Sequence, residues 1–300
     1  MRSFLHYLSV AIKGIFMGAA NVVPGVSGGT IALLTGIYQE IIDSIKSIGL
    51  SSLKLLFKGK FAEFWKSING TFLFALTVGI VISFLSLAKL MQFLLERHPI
   101  PTWAFFFGLI LISAYYILRD LKGLKWYDFI SLIIGIAAGV AICLLSPAET
   151  TDALWFIFLC GAISMSTMIL PGISGSFVLL LLGKYAYMMD ALGNLDITVI
   201  AVFIIGAIVG LLSFSHLLSW LMKRFYNATL CFLSGLMLGA LIKVWPWKEV
   251  TVAGTDIPLL PGSFAGEPHV ASAVIAALCG IALVVVINTV AARKQKSEQV

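Results

Sequence analysis

Two glycine-rich segments carry the residue types from which chemistry can be built in this chain. Pro24-Gly25-Val26-Ser27-Gly28-Gly29 recurs 147 residues later as Pro171-Gly172-Ile173-Ser174-Gly175-Ser176, and both copies lie inside apolar sequence. Pro and Gly halt a helix, and Ser-Gly-Gly-Thr (ending at Thr30) or Ser-Gly-Ser then starts another. Ser27 and Ser174 are placed to cap the new helix. The first N–H groups of a helix lack intrahelical partners and carry the positive end of its dipole. Hydroxyls and bare N–H groups at such a start make an anion site, which suits phosphate. Two such starts approaching from opposite faces of a membrane can converge on one phosphate near the midplane. The plainer alternative is a kink whose glycines let helices pack closely, with each Ser bonded to backbone.

Other chemistries fit less well. No Lys follows the glycines, so neither segment is a P-loop. No His or Cys stands beside either motif, and a Ser without a base is a weak nucleophile. No catalytic residue is therefore assigned, and the chain is expected not to be an enzyme. Cys143, Cys160, Cys231 and Cys279 all lie in apolar stretches without metal-ligand spacing, so they read as packing residues. No metal and no cofactor is expected.

The remaining polar residues each have two readings. Lys13 and Lys184 flank the motifs and either attract an acidic head group or snorkel to the interface. Asn21 precedes the first motif, where the second copy has Met168. Glu40, Asp43 and Asp190 are either solvated caps or proton-coupling carboxylates. Arg97 and Arg224 end equivalent spans and can meet lipid phosphate. Lys89 lies inside a span and needs a partner. His216, among Ser213, Ser215 and Ser219, reads as a hydrogen-bonding residue. Trp103, Trp126, Trp155, Trp220, Trp245 and Trp247 fall near span ends, as interface anchors do.

The elements that must position these groups follow from composition. The 300-residue chain is 60% hydrophobic and 11% charged, against about 25% charged in soluble domains; its mean hydropathy is +1.04. This is the composition of a multi-pass membrane protein: an all-α, single membrane domain over residues 1–300. Lys13 interrupts the apolar run of Met1–Ala20, so no cleavable signal is expected. Six apolar stretches read as transmembrane helices: Thr71–Leu95, Trp103–Leu118, Phe129–Leu145, Thr198–Met222, Leu230–Trp245 and Ala271–Ala292. Phe4–Ser47 and Leu154–Leu192 are apolar but broken by the Pro-Gly motifs, and read as re-entrant hairpins.

With each hairpin returning to its own side, 15 of the 20 Lys and Arg fall on one face. Positive charge stays cytoplasmic, which places both termini in the cytoplasm and the chain in the cell membrane. The net charge of +6 is thus topological and implies no nucleic-acid partner. The same layout opens the first hairpin to the cytoplasm and the second to the outside. The sequence carries a matching internal repeat, with halves 1–147 and 148–300. Residues 14–45 and 161–192 align without gaps, sharing Gly14/Gly161, Tyr38/Tyr185 and Asp43/Asp190 besides the motif residues; a second offset of 127 pairs Gly79/Gly206, Arg97/Arg224 and Gly108/Gly235. Gly/Pro-broken segments at matching places in inverted halves point to a transporter's binding site.

At Asn21–Thr30, Leu170–Ser176, Gly36-Ile37-Tyr38 and Gly183-Lys184-Tyr185 the chain resembles a bacterial and archaeal membrane family associated with polyprenyl-phosphate transport, and the likeness covers essentially the whole chain. The resemblance implies a flippase that returns undecaprenyl phosphate across the membrane for cell-envelope synthesis. Its partners are then the lipid, the membrane and a coupling ion, H+ or Na+. The site taken from the residues themselves is Asn21, Pro24, Gly25, Ser27, Gly28, Gly29, Thr30, Pro171, Gly172, Ser174, Gly175 and Ser176, with Lys13 and Lys184. Two alternatives stand beside it. Undecaprenyl-pyrophosphate phosphatases are similar in outline, but there Arg follows the Ser where Gly28 and Gly175 stand here. An ion-coupled permease for a small anion is the third reading.

Overall fold

The computed structural model describes residues 4–22, 27–145, 147, 150–250 and 256–298. The first apolar region is α1 (Phe4–Val22), α2 (Gly28–Leu34) and α3 (Tyr38–Lys46). The basic stretch after it folds as α4 (Leu50–Phe57) and α5 (Phe61–Ser67). Three longer helices follow: α6 (Gly70–Arg97), α7 (Pro99–Asp120) and α8 (Trp126–Leu144). The second broken region is α9 (Leu154–Ile169), α10 (Gly175–Leu181) and α11 (Tyr185–Gly193). Then come α12 (Ile197–Arg224), α13 (Tyr226–Gly239) and α14 (Val270–Glu298). A two-stranded antiparallel ribbon, β1 (Lys248–Val250) with β2 (Asp256–Pro258), lies between α13 and α14. These are the only strands among the described residues, and the chain is otherwise helical.

Five of the six expected apolar stretches fall on a helix to within a residue, while Leu230–Trp245 runs past α13, whose helical course ends with a short 3-10 turn at Ile242. Four are long and apolar enough to cross a membrane (α7, α8, α12 and residues 270–289 of α14), and up to six are if the bent pairs α5–α6 and α10–α11 each count as one. α7 is longer than the 103–118 stretch suggested. Pro99 and Pro101 begin it, because proline in the first turn lacks only an N–H that would be unpaired anyway. The limbs after the Pro-Gly breaks are not single helices, as the apolar pattern alone suggests. Each bends again at a glycine with positive φ, Gly36 at 70° and Gly183 at 67°, a conformation other residues adopt only at a cost.

Small residues set how the long helices cross. A Cβ at Gly14 would run into the Leu76 carbonyl, and one at Gly79 into that of Ala11; at Gly161 and Gly206 the obstacles are the Phe203 and Phe158 carbonyls. The positions match, since Gly161 and Phe158 lie 147 residues after Gly14 and Ala11, and Gly206 and Phe203 lie 127 after Gly79 and Leu76. Thus α1 crosses α6 as α9 crosses α12. The other two close pairs exchange partners between halves. α7 packs on α14 through Gly108 and Gly280, and α13 packs on α8 through Gly235 and Gly135. Close backbone approach through small residues is the usual means of holding helices together where lipid removes the hydrophobic drive.

The two hairpins are seated differently. Residues of α2 and α3 (Ile31, Ala32, Tyr38, Ile41 and Ile42) belong to the main buried cluster with α7, α12 and α13. Most of the buried α10 and α11 residues (Leu179, Met188, Ala191) form a small separate cluster with Ile157, Cys160 and Val199 of α9 and α12. The 28-residue helix α12, about 42 Å long, joins the bases of both hairpins. Its first end meets α11, where the Asp196 N–H donates to the Ala191 carbonyl at 2.8 Å. Its last turns meet α3, where Ser219 donates to Asp43 at 2.9 Å.

Candidate functional site

The two breaks meet. The Ser27 hydroxyl donates to the Leu170 carbonyl at 2.9 Å, and the buried Gly172 N–H donates to Thr30 Oγ1 at 3.2 Å. A Cβ at Gly29 would collide with the Ile169 carbonyl. So the first motif touches residues 169, 170 and 172 around the second across 142–143 positions of sequence. Pro24 and Gly25 lie outside the described residues.

Ser27 and Ser174 cap α2 and α10, as their positions predict. Ser27 accepts from the Gly29 N–H at 3.1 Å, and Ser174 from the Phe177 N–H at 3.2 Å. Beyond the caps the two helix starts differ. At the first, Asn21 Oδ1 accepts from Gly28 N–H at 2.7 Å and Thr30 N–H donates to the Ser27 carbonyl, so the three leading donors are all engaged. Ser27 and Thr30 are essentially inaccessible. At the second, Ser176 is exposed and Ser174 Oγ lies 3.4 Å from its hydroxyl. Among the described residues, the Gly175 and Ser176 N–H groups have no protein partner. The second motif is therefore the open half of the junction, and the first is its buried wall. The presence of Asn21 where the other copy has Met168 accounts for part of this difference, because Asn21 supplies the acceptor for Gly28.

The flanking lysines brace the hairpins. Lys13 Nζ donates from mid-α1 to the Thr35 carbonyl at 2.8 Å, at the bend between α2 and α3. Lys184 is 4% exposed, and its ammonium bonds the Thr150 carbonyl at 2.8 Å and Asp152 at 2.5 Å. Both bends are thus held by an ammonium, one arriving from α1 and the other from the bend itself.

The three carboxylates separate. Glu40 accepts from Asn69 at 2.9 Å. Asp43 gathers Ser219 at 2.9 Å, Gln39 at 3.0 Å and Lys223 at 3.8 Å, while Lys46 reaches Ser219 at 3.3 Å, so α3 is tied to α12. The carboxylate of Asp190, the equivalent residue of α11, accepts from Asn194 at 3.0 Å, its one partner among the described residues, and is exposed. Asn69, 29 residues from Glu40, carries no mark in sequence, and Ser219, named there only beside His216, meets Asp43 across 176 residues; Gln39 reaches Asp43 within α3.

His216 turns back to the Leu212 carbonyl of its own helix at 2.8 Å, consistent with a hydrogen-bonding role. The Lys89 side chain lies outside the described residues. Trp126, Trp155 and Trp220 are exposed as interface anchors should be. Trp247 differs: it is buried against Ile100, Ala104 and Ala273, and its indole N–H donates to the Pro268 carbonyl at 2.7 Å. The ribbon after α13 folds it onto the protein and away from lipid. Among the described residues no cluster of His, Cys, Asp and Glu has the makings of a metal site.

Helices of spanning length, together with two broken helical regions that touch through Ser27, Thr30, Leu170 and Gly172, define a multi-pass membrane protein. The chain belongs to the undecaprenyl phosphate translocase-like family, whose sequence profile matches residues 17–257. A polyprenyl-phosphate transporter of Vibrio cholerae serotype O1 is 47% identical over 261 residues, covering 85% of each chain. A polyprenyl-phosphate transporter of Staphylococcus aureus is 32% identical over 253 residues, covering 78% of this chain and 85% of its own length. No solved structure matches the chain.

Proposed function

We propose that this protein carries a polyprenyl phosphate, undecaprenyl phosphate in the first instance, across the cytoplasmic membrane for reuse in envelope synthesis. The names of its relatives and its family support this reading. The observation that carries the site is the meeting of the two breaks through Ser27–Leu170 and Thr30–Gly172. The phosphate lies against Ser174, Gly175 and Ser176, of which Ser176 is exposed, and the prenyl chain stays in lipid. The reaction is carriage rather than cleavage: Gly28 and Gly175 follow the serines, and the motifs hold no nucleophile with a base.

The halves act as an inverted repeat. Matching glycine crossings in α1–α6 and α9–α12 support the repeat. The position of the hairpin bases at opposite ends of α12 supports their entry from opposite faces, with the termini cytoplasmic. A break shared by hairpins from opposite faces lies within the membrane, where irregular backbone must be buried or line a cavity. Flux of labelled undecaprenyl phosphate in proteoliposomes tests the site. Ser174→Ala combined with Ser176→Ala should lower it about tenfold or more, since hydrogen bonds to a charged group are worth about 1.5–3 kcal/mol each. Unchanged flux would sink the assignment.

Asp43 is the carboxylate through which a coupling ion, H+ or Na+, acts on hairpin seating, because it ties α3 to Ser219 and Lys223 of α12. Asp43→Ala should loosen α3. A cysteine placed at Ser44, now 4% exposed, should be alkylated several-fold faster in that background when followed by peptide mass spectrometry. Equal labelling rates would show that these bonds do not hold the hairpin.

A further inference from the structure

A cavity, separate from the junction of the breaks, opens beside the α2–α3 bend. Its volume is about 470 Å³, and its walls come from the α2–α3 bend, the end of α7, the α12–α13 joint and α14. Leu33, Leu34, Ile117, Leu121, Met222 and Leu230 make one part of the lining apolar. Tyr38, Gln39, Asp120, Lys122, Tyr226, Asn227 and Asn288 make the other polar.

Three observations point to a ligand. Tyr38 is 3% exposed, and its hydroxyl is buried without a hydrogen-bond partner. A buried hydroxyl in that condition costs about 1–3 kcal/mol, so a partner arriving from outside the chain gains what the fold leaves unmet. Lys122 is a cation with no acidic partner among the described residues, whereas the Asp120 carboxylate beside it is taken by Arg119 at 3.2 Å. Asn288 stands in the C-terminal half of α14, and its amide donates to the Val284 carbonyl of its own helix at 3.2 Å. A cation, a hydroxyl and amides facing an apolar wall match an anionic head on an apolar stem.

The cavity lies at the far end of α2 from the junction. The seven-residue α2 separates it from Ser27 by about 10 Å. Gln39 lines it and donates to Asp43, the residue that ties α3 to α12.

We infer that this cavity is a second binding site for a phosphate monoester head carried on a prenyl chain, held by Tyr38 and Lys122 on the hairpin-1 side of the junction. The inference rests on the transport reading above. A lipid phosphate and free phosphate share the head-group chemistry, and the apolar wall favours the lipid. The test measures binding of undecaprenyl phosphate, undecaprenol and inorganic phosphate to the full-length protein in nanodiscs, with flux measured in parallel. Tyr38→Phe should weaken undecaprenyl phosphate binding about tenfold while leaving the melting temperature of the unliganded protein equal or higher. Lys122→Gln should weaken it similarly, and undecaprenol should bind poorly to every form.

Wild-type binding and flux with both variants unchanged would overturn this site and leave the transport reading standing. Inorganic phosphate binding as tightly as the lipid, with the same sensitivity to Tyr38→Phe, would overturn the lipid assignment. Failure of the wild type to bind or move undecaprenyl phosphate would overturn the transport reading itself.

Discussion

Replacing Gly29 with Val should abolish transport while the long helix pairs remain folded. Any side chain at Gly29 begins with a Cβ that runs into the Ile169 carbonyl, which is backbone at the end of α9 and cannot rotate away. Relief requires α2 and α9 to separate. That separation breaks the Ser27–Leu170 and Thr30–Gly172 bonds together, since both bridge the same few residues. Thr30→Val provides the graded case. It keeps the shape of Thr30 but leaves the buried Gly172 N–H without an acceptor, at a cost of about 1–3 kcal/mol. Thr30→Ser keeps the acceptor. The expected order of flux in proteoliposomes is wild type, Thr30→Ser, Thr30→Val, then Gly29→Val at background. Gly29→Val at wild-type flux would mean that contact between the breaks is not needed for carriage.

The largest expected loss of stability lies away from the site, at the glycines where helices cross. Gly79→Ala and Gly206→Ala each place a methyl group against a backbone carbonyl, that of Ala11 in one case and of Phe158 in the other. Overpacking of this kind costs about 1–3 kcal/mol. The obstacle is helix backbone on both sides, so these positions belong at the upper end. Gly193→Ala is the control, because a Cβ there meets nothing within 4 Å. Thermal unfolding in detergent should show both crossing variants lowered by several degrees and Gly193→Ala close to wild type. Similar losses at Gly79 and Gly206 are what matching crossings in α1–α6 and α9–α12 require. A large loss at one and none at the other would show that the two pairs are not energetically equivalent.

The matched crossings meet an unmatched seating of the hairpins. Asp43 and Asp190 hold the same place in the aligned segments, yet Asp43 reaches across to Ser219 and Lys223 while Asp190 turns to Asn194. Tyr38 is buried and Tyr185 is 40% exposed. One scaffold thus seats its two broken regions on different partners, the first in the main core and the second mostly against α9 and α12. A carrier whose site faces each leaflet in turn needs such a pair of arrangements, because packed interfaces switch between discrete states and do not deform continuously.

Much of this protein was determined by sequence alone. A chain this apolar must hide its backbone polar groups in helices, so the helical class and the positions of the long spans follow from composition and hydropathy. The Pro-Gly breaks, the caps at Ser27 and Ser174, and the membrane family are local facts, written in neighbouring residues. The second bends at Gly36 and Gly183 were written there too, but a single glycine in an apolar run does not announce a positive φ. Three-dimensional packing decided the rest. The sequence could place two hydroxyl-bearing breaks in the chain, but only packing brings Ser27 to Leu170 and Thr30 to Gly172. It likewise sends α7 to α14 and α13 to α8, and spends Lys13 and Lys184 on carbonyls. The reason is physical. Hydrogen bonds and close helix crossings between separate segments depend on how whole helices are stacked, and the residues at each end look the same in sequence whether or not they meet.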